Sequence, residues 1–368
     1  METALVIGWV LFGMLSLRFL VVLVNYASRL YLPKAVEGSA KPKVSVLIPA
    51  RNEAANLPIL LSDLSLADYP NLEIIVCNDH STDETEDVLK QYQESLPHLS
   101  YFTNDTLPKG WIGKNYACHN LAARTCGDYL LFLDADVRLS RDVVSRAVSY
   151  AQKQKLDLLS LFPHQLMISR GEWYTVPVMN WILLSMLPLI SVRLPRISSL
   201  AAANGQFMLF QGSIYREKQW HRQGWNQNVE DIVIARNMKN AGHTIAVLTG
   251  NLDVMCRMYS SQEEALQGFS RNMHHFFGGS RFWMLLFVMI AWLRIPWLAM
   301  NGQWFLLVGS VGMLILMKMM VSDISRQSII LNLGWYFNQL WNMTRIAIYN
   351  IRGGFKREVD WKGRVYKV

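Results

Sequence analysis

Residues 4 to 25, ALVIGWVLFGMLSLRFLVVLVN, carry one charge, Arg18, over a length sufficient to cross a bilayer. So apolar a stretch has few conformational options, because in lipid every backbone N–H and C=O must be paired within the segment, as a helix does. A cleaved leader is the competing reading. That pattern wants a basic start and a small-residue cleavage site, whereas the chain opens Met1-Glu2-Thr3 and runs on into Asn25-Tyr26. The expectation is a retained transmembrane helix over 1–28. A second apolar region, Phe282 to Val321, is split by Asn301-Gly302 and reads as a hairpin of two spans, 281–322. Arg294 and Lys318 sit where long side chains are expected to snorkel to the headgroups. A composition of 51% hydrophobic and 17% charged residues agrees, being too apolar for an ordinary soluble enzyme of this size.

Flanking charge sets an expected orientation. Arg29, Lys34, Lys41 and Lys43 follow the first span and only Glu2 precedes it, which predicts a cytoplasmic middle region. The basic tail (Arg352, Lys356, Arg357, Lys362, Arg364, Lys367) is expected on that same side of the cell membrane. With spans present, the net charge of +8 is better explained by anionic headgroups and an anionic substrate than by nucleic acid. Cys77, Cys118, Cys126 and Cys256 form no CxxC pair and no zinc pattern, as expected in a reducing compartment.

Between the apolar ends, short apolar runs alternate with helical patterns. Val44 to Ile48 reads as a strand stopped by Pro49, and Asn52-Glu53 as the start of a helix to about Leu66. Leu72 to Cys77 is a second strand, followed from Ser81-Thr82-Asp83-Glu84 by a helix to about Ser95. Tyr116 to Arg124 is a further helix, and Tyr129 to Leu133 a third strand. This order predicts an α/β fold with a doubly wound, mainly parallel sheet. Three of its strands end in polar clusters: Pro49-Ala50-Arg51-Asn52-Glu53, Asn78-Asp79 and Asp134-Ala135-Asp136. Ligands of such sheets bind beyond the carboxyl ends of the strands, so the clusters are expected to share one cleft. Asp134 and Asp136 suit a hard divalent cation that carries substrate phosphates; the competing reading is a strand leading into an acid-capped helix. There is no GxGxxG and no GxxxxGK[ST], which argues against dinucleotide oxidoreductases and P-loop NTPases.

Taken in order, VSVLIPARNE, IIVCNDHSTDETEDV, LPKGWIGKNYAC, GDYLLFLDADV and NVEDIVIA resemble the successive motifs of family-2 glycosyltransferases with the GT-A fold. GWIGKNYA, AAANGQFMLF, GFSRN and WKGRVY are similar to the membrane-anchored branch that glycosylates lipids or carotenoids. The resemblance covers roughly Lys43 to Asn272, and we expect a cytoplasmic GT-A domain, Rossmann-like and nucleotide-sugar-binding, over 43–280. It implies an inverting transfer of a sugar, glucose being the expectation, from a UDP-sugar to a membrane lipid, first a carotenoid acid and alternatively a polyprenyl phosphate, diacylglycerol, hopanoid or sphingoid acceptor.

The same resemblance distributes roles. Asp79 would hold the uracil, over the backbone of Pro49 and Ala50, with Arg51, Asn52 and Glu53 lining the nucleoside. Asp136 would ligate Mg²⁺ or Mn²⁺, Asp134 would support it or the donor, and Lys114 would face the diphosphate. Asp231, paired with Glu230 at the head of a predicted helix, would be the general base. At a helix start those two acids are also placed where the dipole favours carboxylates, so capping competes with catalysis. Arg271 stands where many relatives have Gln-x-x-Arg-Trp, and would assist the donor; His274 and His275 beside it read better as polar groups at a membrane interface. Asn204, Gly205 and Gln206, with Trp361 and Arg364 of the tail, would line the acceptor side.

Two further segments, Trp173 to Leu194 and Leu331 to Ile351, are apolar but interrupted by polar residues, and are expected as interfacial helices, the second within 328–368. A polysaccharide synthase is a weaker reading, since three spans offer little to build a channel. A scaffold that lost catalysis sits poorly with Asp79, Asp136 and Asp231 together, and a transporter with spans that show no conspicuous set of polar groups.

Overall fold

A computed structural model describes residues 2–28, 30–36, 38, 40–194 and 196–353, with the backbone of 358–361 and 364–367. The chain forms two compact units that interleave in sequence: Met1–Leu30, Gln165–Leu189 and Met258–Arg357 in the first, Tyr31–His164, Ile190–Arg257 and Glu358–Val368 in the second.

The first unit is helical. Among the described residues, three of its helices are long and apolar enough to cross a membrane: α1 (Glu2–Ala27), α12 (Arg281–Met300) and α13 (Trp304–Ile324). Gly302, at a φ of 66°, turns the chain between α12 and α13, as the hairpin reading requires. The side-chain amide of Gln303 donates to the carbonyl of Ala4 at 2.7 Å, which sets the start of α1 beside the hairpin turn. Around these spans lie α6 (Arg170–Thr175), α7 (Pro177–Met186), α11 (Gln262–Asn272), α14 (Ile329–Gly334) and α15 (Tyr336–Gly353).

Three sequence expectations change here. Residues 173–194 form no single interfacial helix: α6, α7 and a 3-10 turn (Leu189–Arg193) succeed one another, and Trp181, Ile182, Leu183 and Leu184 are buried. Asn25 explains the break, because its amide donates to the carbonyls of Leu184 and Leu187 and its oxygen accepts from the N–H of Leu189. Arg294 and Lys318 do not snorkel. They are 3% and 5% exposed and face the interior of the helix cluster. The spans do carry buried polar groups: Lys318 Nζ donates to Gln339 Oε1, whose Nε2 donates to Asn332, which in turn donates to Ser322 and Gln327.

The second unit holds a seven-stranded sheet in the order β3-β2-β1-β4-β8-β6-β9. Its strands are β1 (Val44–Ala50), β2 (Leu72–Asn78), β3 (Leu99–Thr103), β4 (Tyr129–Leu133), β6 (Leu158–Phe162), β8 (Phe207–Gln211) and β9 (Ile245–Thr249). Only β8 runs against the others, between β4 and β6. Every residue of β1 is buried, as a central strand with both faces covered demands. The covering helices are α2 (Leu57–Ser65), α3 (Thr85–Ser95), α4 (Gly113–Ala123), α5 (Val143–Gln154), α8 (Gly212–Lys218), α9 (Trp220–Gln223) and α10 (Glu230–Asn240). Short strands β5 (Val137–Leu139) and β10 (Val254–Cys256) pair antiparallel, β7 is His164–Gln165, and β11 (Glu358–Trp361) pairs with β12 (Arg364–Lys367).

The mainly parallel, doubly wound sheet expected from the sequence is therefore present, with local differences. Pro49 does not stop β1. The ladder to β4 ends at Leu47, so the missing N–H falls on an edge that is already open. The first helix begins at Leu57 rather than Asn52, because Asn52 takes a left-handed conformation (φ 52°) that a helix cannot include.

Candidate active site

Four strand ends and one helix start meet at one edge of the sheet. Leu133 pairs with Phe207 across β4 and β8, so antiparallel β8 brings its own beginning, Asn204-Gly205-Gln206, to the place where β4 ends. The N–H of Asp134 donates to the Gln206 carbonyl at 3.4 Å. Asp134-Ala135-Asp136 is a tight turn between β4 and β5, closed by the N–H of Val137 on the Asp134 carbonyl. No helix follows it: α5 begins at Val143. The two carboxylates are therefore not caps.

Lys114, in the first turn of α4, ties this turn to the head of α10. Its ammonium lies 2.8 Å from Asp134 Oδ1 and 3.2 Å from Glu230 Oε1. Burial works against that charge, but the two carboxylates outweigh it and hold the lysine well above its usual range. Asp231 accepts hydrogen bonds from the N–H of Gly205 at 3.0 Å and of Ile232 at 2.7 Å. Burial and the adjacent Glu230 carboxylate push it up to about 7. Gly205 is confined: a Cβ there would lie 3.2 Å from the Lys114 ammonium and 3.3 Å from Glu230 Oε1. Gln206 donates to the Cys256 sulfur at 2.7 Å, and burial together with Asp136 pushes that thiol upward, so it stays protonated.

The second cluster is built on β1 and β2. Arg51 is buried, and its guanidinium donates to the carbonyls of Asp79 (2.6 Å) and His80 (2.9 Å). Asp79 is fully buried; its N–H donates to the Ala50 carbonyl and its Oδ1 accepts from Asn104 at 3.2 Å. The two loops are stitched together. The N–H of Asn52 donates to Ser81 Oγ, that of Thr82 to Asn52 Oδ1, and that of Glu53 to Thr85 Oγ1. Glu53 also receives the Asn56 amide at 2.8 Å, a contact that shapes the start of α2.

Of the residues expected from the sequence, Pro49 to Glu53, Asp79, Lys114, Asp134, Asp136, Asn204 to Gln206, Glu230 and Asp231 all fall in this one unit. Arg271, His274 and His275 fall in the helical unit, at the end of α11 and in the 3-10 turn after it. Trp361 and Arg364 lie in β11 and β12, and their side chains are outside the described residues, as are Lys356, Arg357 and Lys362.

Sequence reading missed Asn104, Asn120, Asn115 and Cys256. Asn104 follows β3, a fourth strand whose polar Ser100 and exposed Thr103 hid it; the same strand-end rule would have found it. Asn120 donates to Asn104 Oδ1 at 2.6 Å, behind Asp79. Asn115 donates to the carbonyls of Gly224 and Gln227, which docks the loop before α10 on α4. In that loop Trp225 packs against Trp111, whose ring also meets Tyr116 and His119.

Residues 45–210, a little under half of the chain, match the family model "Glycosyl transferase family 2". The chain is 37% identical over 141 residues to a 4,4'-diaponeurosporenoate glycosyltransferase of Staphylococcus haemolyticus (strain JCSC1435), covering 38% of this chain and 36% of the relative. To the protein of the same name from Staphylococcus aureus (strain USA300) it is 34% identical over 125 residues, 33% and 32% of the two chains. The chain thus matches about a third of the length of these curated relatives. Among solved structures, mannosyltransferase PcManGT from Pyrobaculum calidifontis, in complex with GDP-Man and Mn2+, superposes with a TM-score of 0.52 at 16% identity, over 94% of this chain and 98% of that one. The shared fold is GT-A.

Proposed function

We propose that this chain is an inverting glycosyltransferase that moves a sugar, glucose, from a UDP-sugar to a membrane lipid acceptor, a carotenoid acid. The observation that carries the reading is the Lys114–Asp134–Glu230 cluster with Asp231 beside it, at the strand-end edge of a family-2 domain. Three helices able to cross a membrane supply the reason for a lipid acceptor, and the carotenoid-acid relatives its chemistry. The nucleoside lies against Pro49 to Glu53 and Asp79, with the catalytic domain on the cytoplasmic side. Arg271 is proposed as an accessory to the donor, and Asn204, Gly205 and Gln206 as the acceptor wall.

A divalent cation fits the residues present. Among the described residues no three His, Cys, Asp or Glu side chains converge, so the protein alone builds no closed metal cage. Asp136 and Asp134 offer one or two carboxylates, the donor set of a Mg²⁺ or Mn²⁺ that completes its shell with substrate phosphates and water. When bound, such an ion neutralises charge developing on the leaving diphosphate. Lys114 adds a fixed cation to the same end of the donor. Asp231, held by the Gly205 N–H, takes the proton of a hydroxyl acceptor as its oxygen attacks the anomeric carbon, which inverts that centre. A carboxylate acceptor arrives ionised, and then Asp231 positions it.

Asp136→Asn is expected to raise the half-saturating Mn²⁺ concentration at least tenfold and to lower kcat about 10³-fold. A wild-type metal titration for that variant overturns the metal assignment. The reading as a whole is tested by UDP release from UDP-glucose in the presence of Mn²⁺ and a lipid extract, with mass spectrometry of the lipid fraction. No release with any of UDP-glucose, UDP-GlcNAc or GDP-mannose overturns it; release with a non-carotenoid glycolipid product keeps the transferase and replaces the acceptor.

A further inference from the structure

The helical unit contains a feature that sugar transfer at the sheet edge does not use. Arg18 of α1, Arg294 of α12 and Lys318 of α13 line one pocket, together with Val178, Trp181, Tyr336 and Gln339. No aspartate or glutamate lines it. One cation comes from each of the three spans, so the juxtaposition is a product of how the helices pack. The ring faces of Trp181 and Tyr336 flank Lys318 at 4.6 and 5.8 Å, and Trp181 and Phe287 flank Arg18 at 5.2 and 4.5 Å. Arg18 donates to Ser185 Oγ at 2.7 Å, and Lys318 to Gln339 at 2.6 Å, both neutral acceptors. The Nε atoms of Arg18 and Arg294 are buried and meet no hydrogen-bond acceptor among the described residues.

Three like charges inside a cluster of apolar helices are costly, because each loses its hydration and all repel. Intramembrane charges are ordinarily paired with each other, with backbone carbonyls or with a ligand. Arg18 and Lys318 have aromatic faces and one neutral oxygen each, which compensate in part. At 1.5 Å per residue, Arg18 lies about 21 Å along α1 from Ala4, and Lys318 about 22 Å along α13 from Gln303. Arg18 and Lys318 are thus close to one depth, and Arg294, about 12 Å along the chain from Gly302, joins them from nearer the turn. An anionic headgroup reaches such a depth, and its tail then runs along the apolar helices.

We propose that Arg18, Arg294 and Lys318 form an anion-binding pocket for the carboxylate or phosphate headgroup of a membrane amphiphile. Two guanidinium groups give forked donors that match either oxyanion, and the lysine adds a point charge. The pocket stands independently of the sugar-transfer reading.

The test uses the full chain purified in dodecyl maltoside, whose neutral headgroup carries the same tail as the probes. Dodecyl phosphate and dodecanoate are titrated while Trp fluorescence and melting temperature are followed, with inorganic phosphate as a second arm. Saturable binding and a raised melting temperature with either amphiphile are expected, at least tenfold tighter than inorganic phosphate. Arg294→Met should weaken that binding at least tenfold and yet melt higher than wild type without ligand, because it removes an uncompensated buried cation. Lys318→Met should weaken binding likewise. No saturable binding, or binding unchanged in Arg294→Met, overturns the proposal. So does an Arg294→Met protein that melts lower without ligand, since the arginine would then be structural. Equal affinity for inorganic phosphate overturns the amphiphile as occupant. Binding that persists in a protein that releases no UDP separates this pocket from the fate of the transferase reading.

Discussion

Replacing Asp231 with asparagine is expected to lower kcat for a hydroxyl acceptor about 10³-fold while leaving the KM for the nucleotide sugar within about threefold, as loss of a positioned general base does. The substitution keeps the shape of the side chain but only one acceptor oxygen, so it can accept from the Gly205 N–H or the Ile232 N–H and not from both. What is lost is the capacity to take a proton. Burial and Glu230 raise the Asp231 carboxyl to about 7, which puts half of it in the basic form near neutral pH. The sign follows: a base acts deprotonated, so kcat/KM for a hydroxyl acceptor rises with pH up to about 7 and levels above it. With a carboxylate acceptor no proton is transferred, and the same variant should lose less than about tenfold. Measuring both acceptors across pH 5.5 to 8.5 separates base from positioner. An Asp231→Asn protein that turns over alcohols normally removes Asp231 from the chemistry.

Lys114→Met should be the most damaging single change in the sheet unit. It leaves Asp134 and Glu230 facing each other across the space now held by the ammonium. Breaking a fully buried pair costs about 3–5 kcal/mol, and the lysine is about one-fifth exposed, so about 2 kcal/mol is expected here. For a domain of this size that is a fall in melting temperature of about 4–8 °C. Turnover should fall further, about 10²–10³-fold, since a fixed cation facing the diphosphate is gone. Adding Asp134→Asn to Lys114→Met should restore part of the melting temperature and none of the activity. If instead Lys114→Met melts as wild type and keeps its rate, the cluster is an incidental surface ion pair.

Legibility differed with the range of the interactions. The strand ends Pro49 to Glu53, Asn78-Asp79 and Asp134 to Asp136 were readable because they follow short apolar runs, and one rule about sheets places all such ends on one edge. β8 was not readable as a strand, since Phe207 to Gln211 has no local sign of running antiparallel, yet that direction brings Gly205 against Asp231. Lys114 was picked from a motif, but its two carboxylate partners are 20 and 116 positions away, and only packing joins them. Arg294 and Lys318 were misplaced for a related reason. A lone cation in an apolar helix has the same sequence signature whether it points to headgroups or to its neighbours.

By itself, the sequence determined what depends on local pattern. Its apolar runs set three membrane-length helices and an alternating α/β middle, and the motifs ordered along it resemble those of family-2 glycosyltransferases. Tertiary structure decided which charges meet. It bound Lys114 to Asp134 and Glu230, set Asp231 on the Gly205 amide, and turned Arg18, Arg294 and Lys318 toward a common pocket. The physical reason is that hydrophobic periodicity is written in neighbouring residues. A charge's partner and its burial depend on groups the chain brings together only after it has folded.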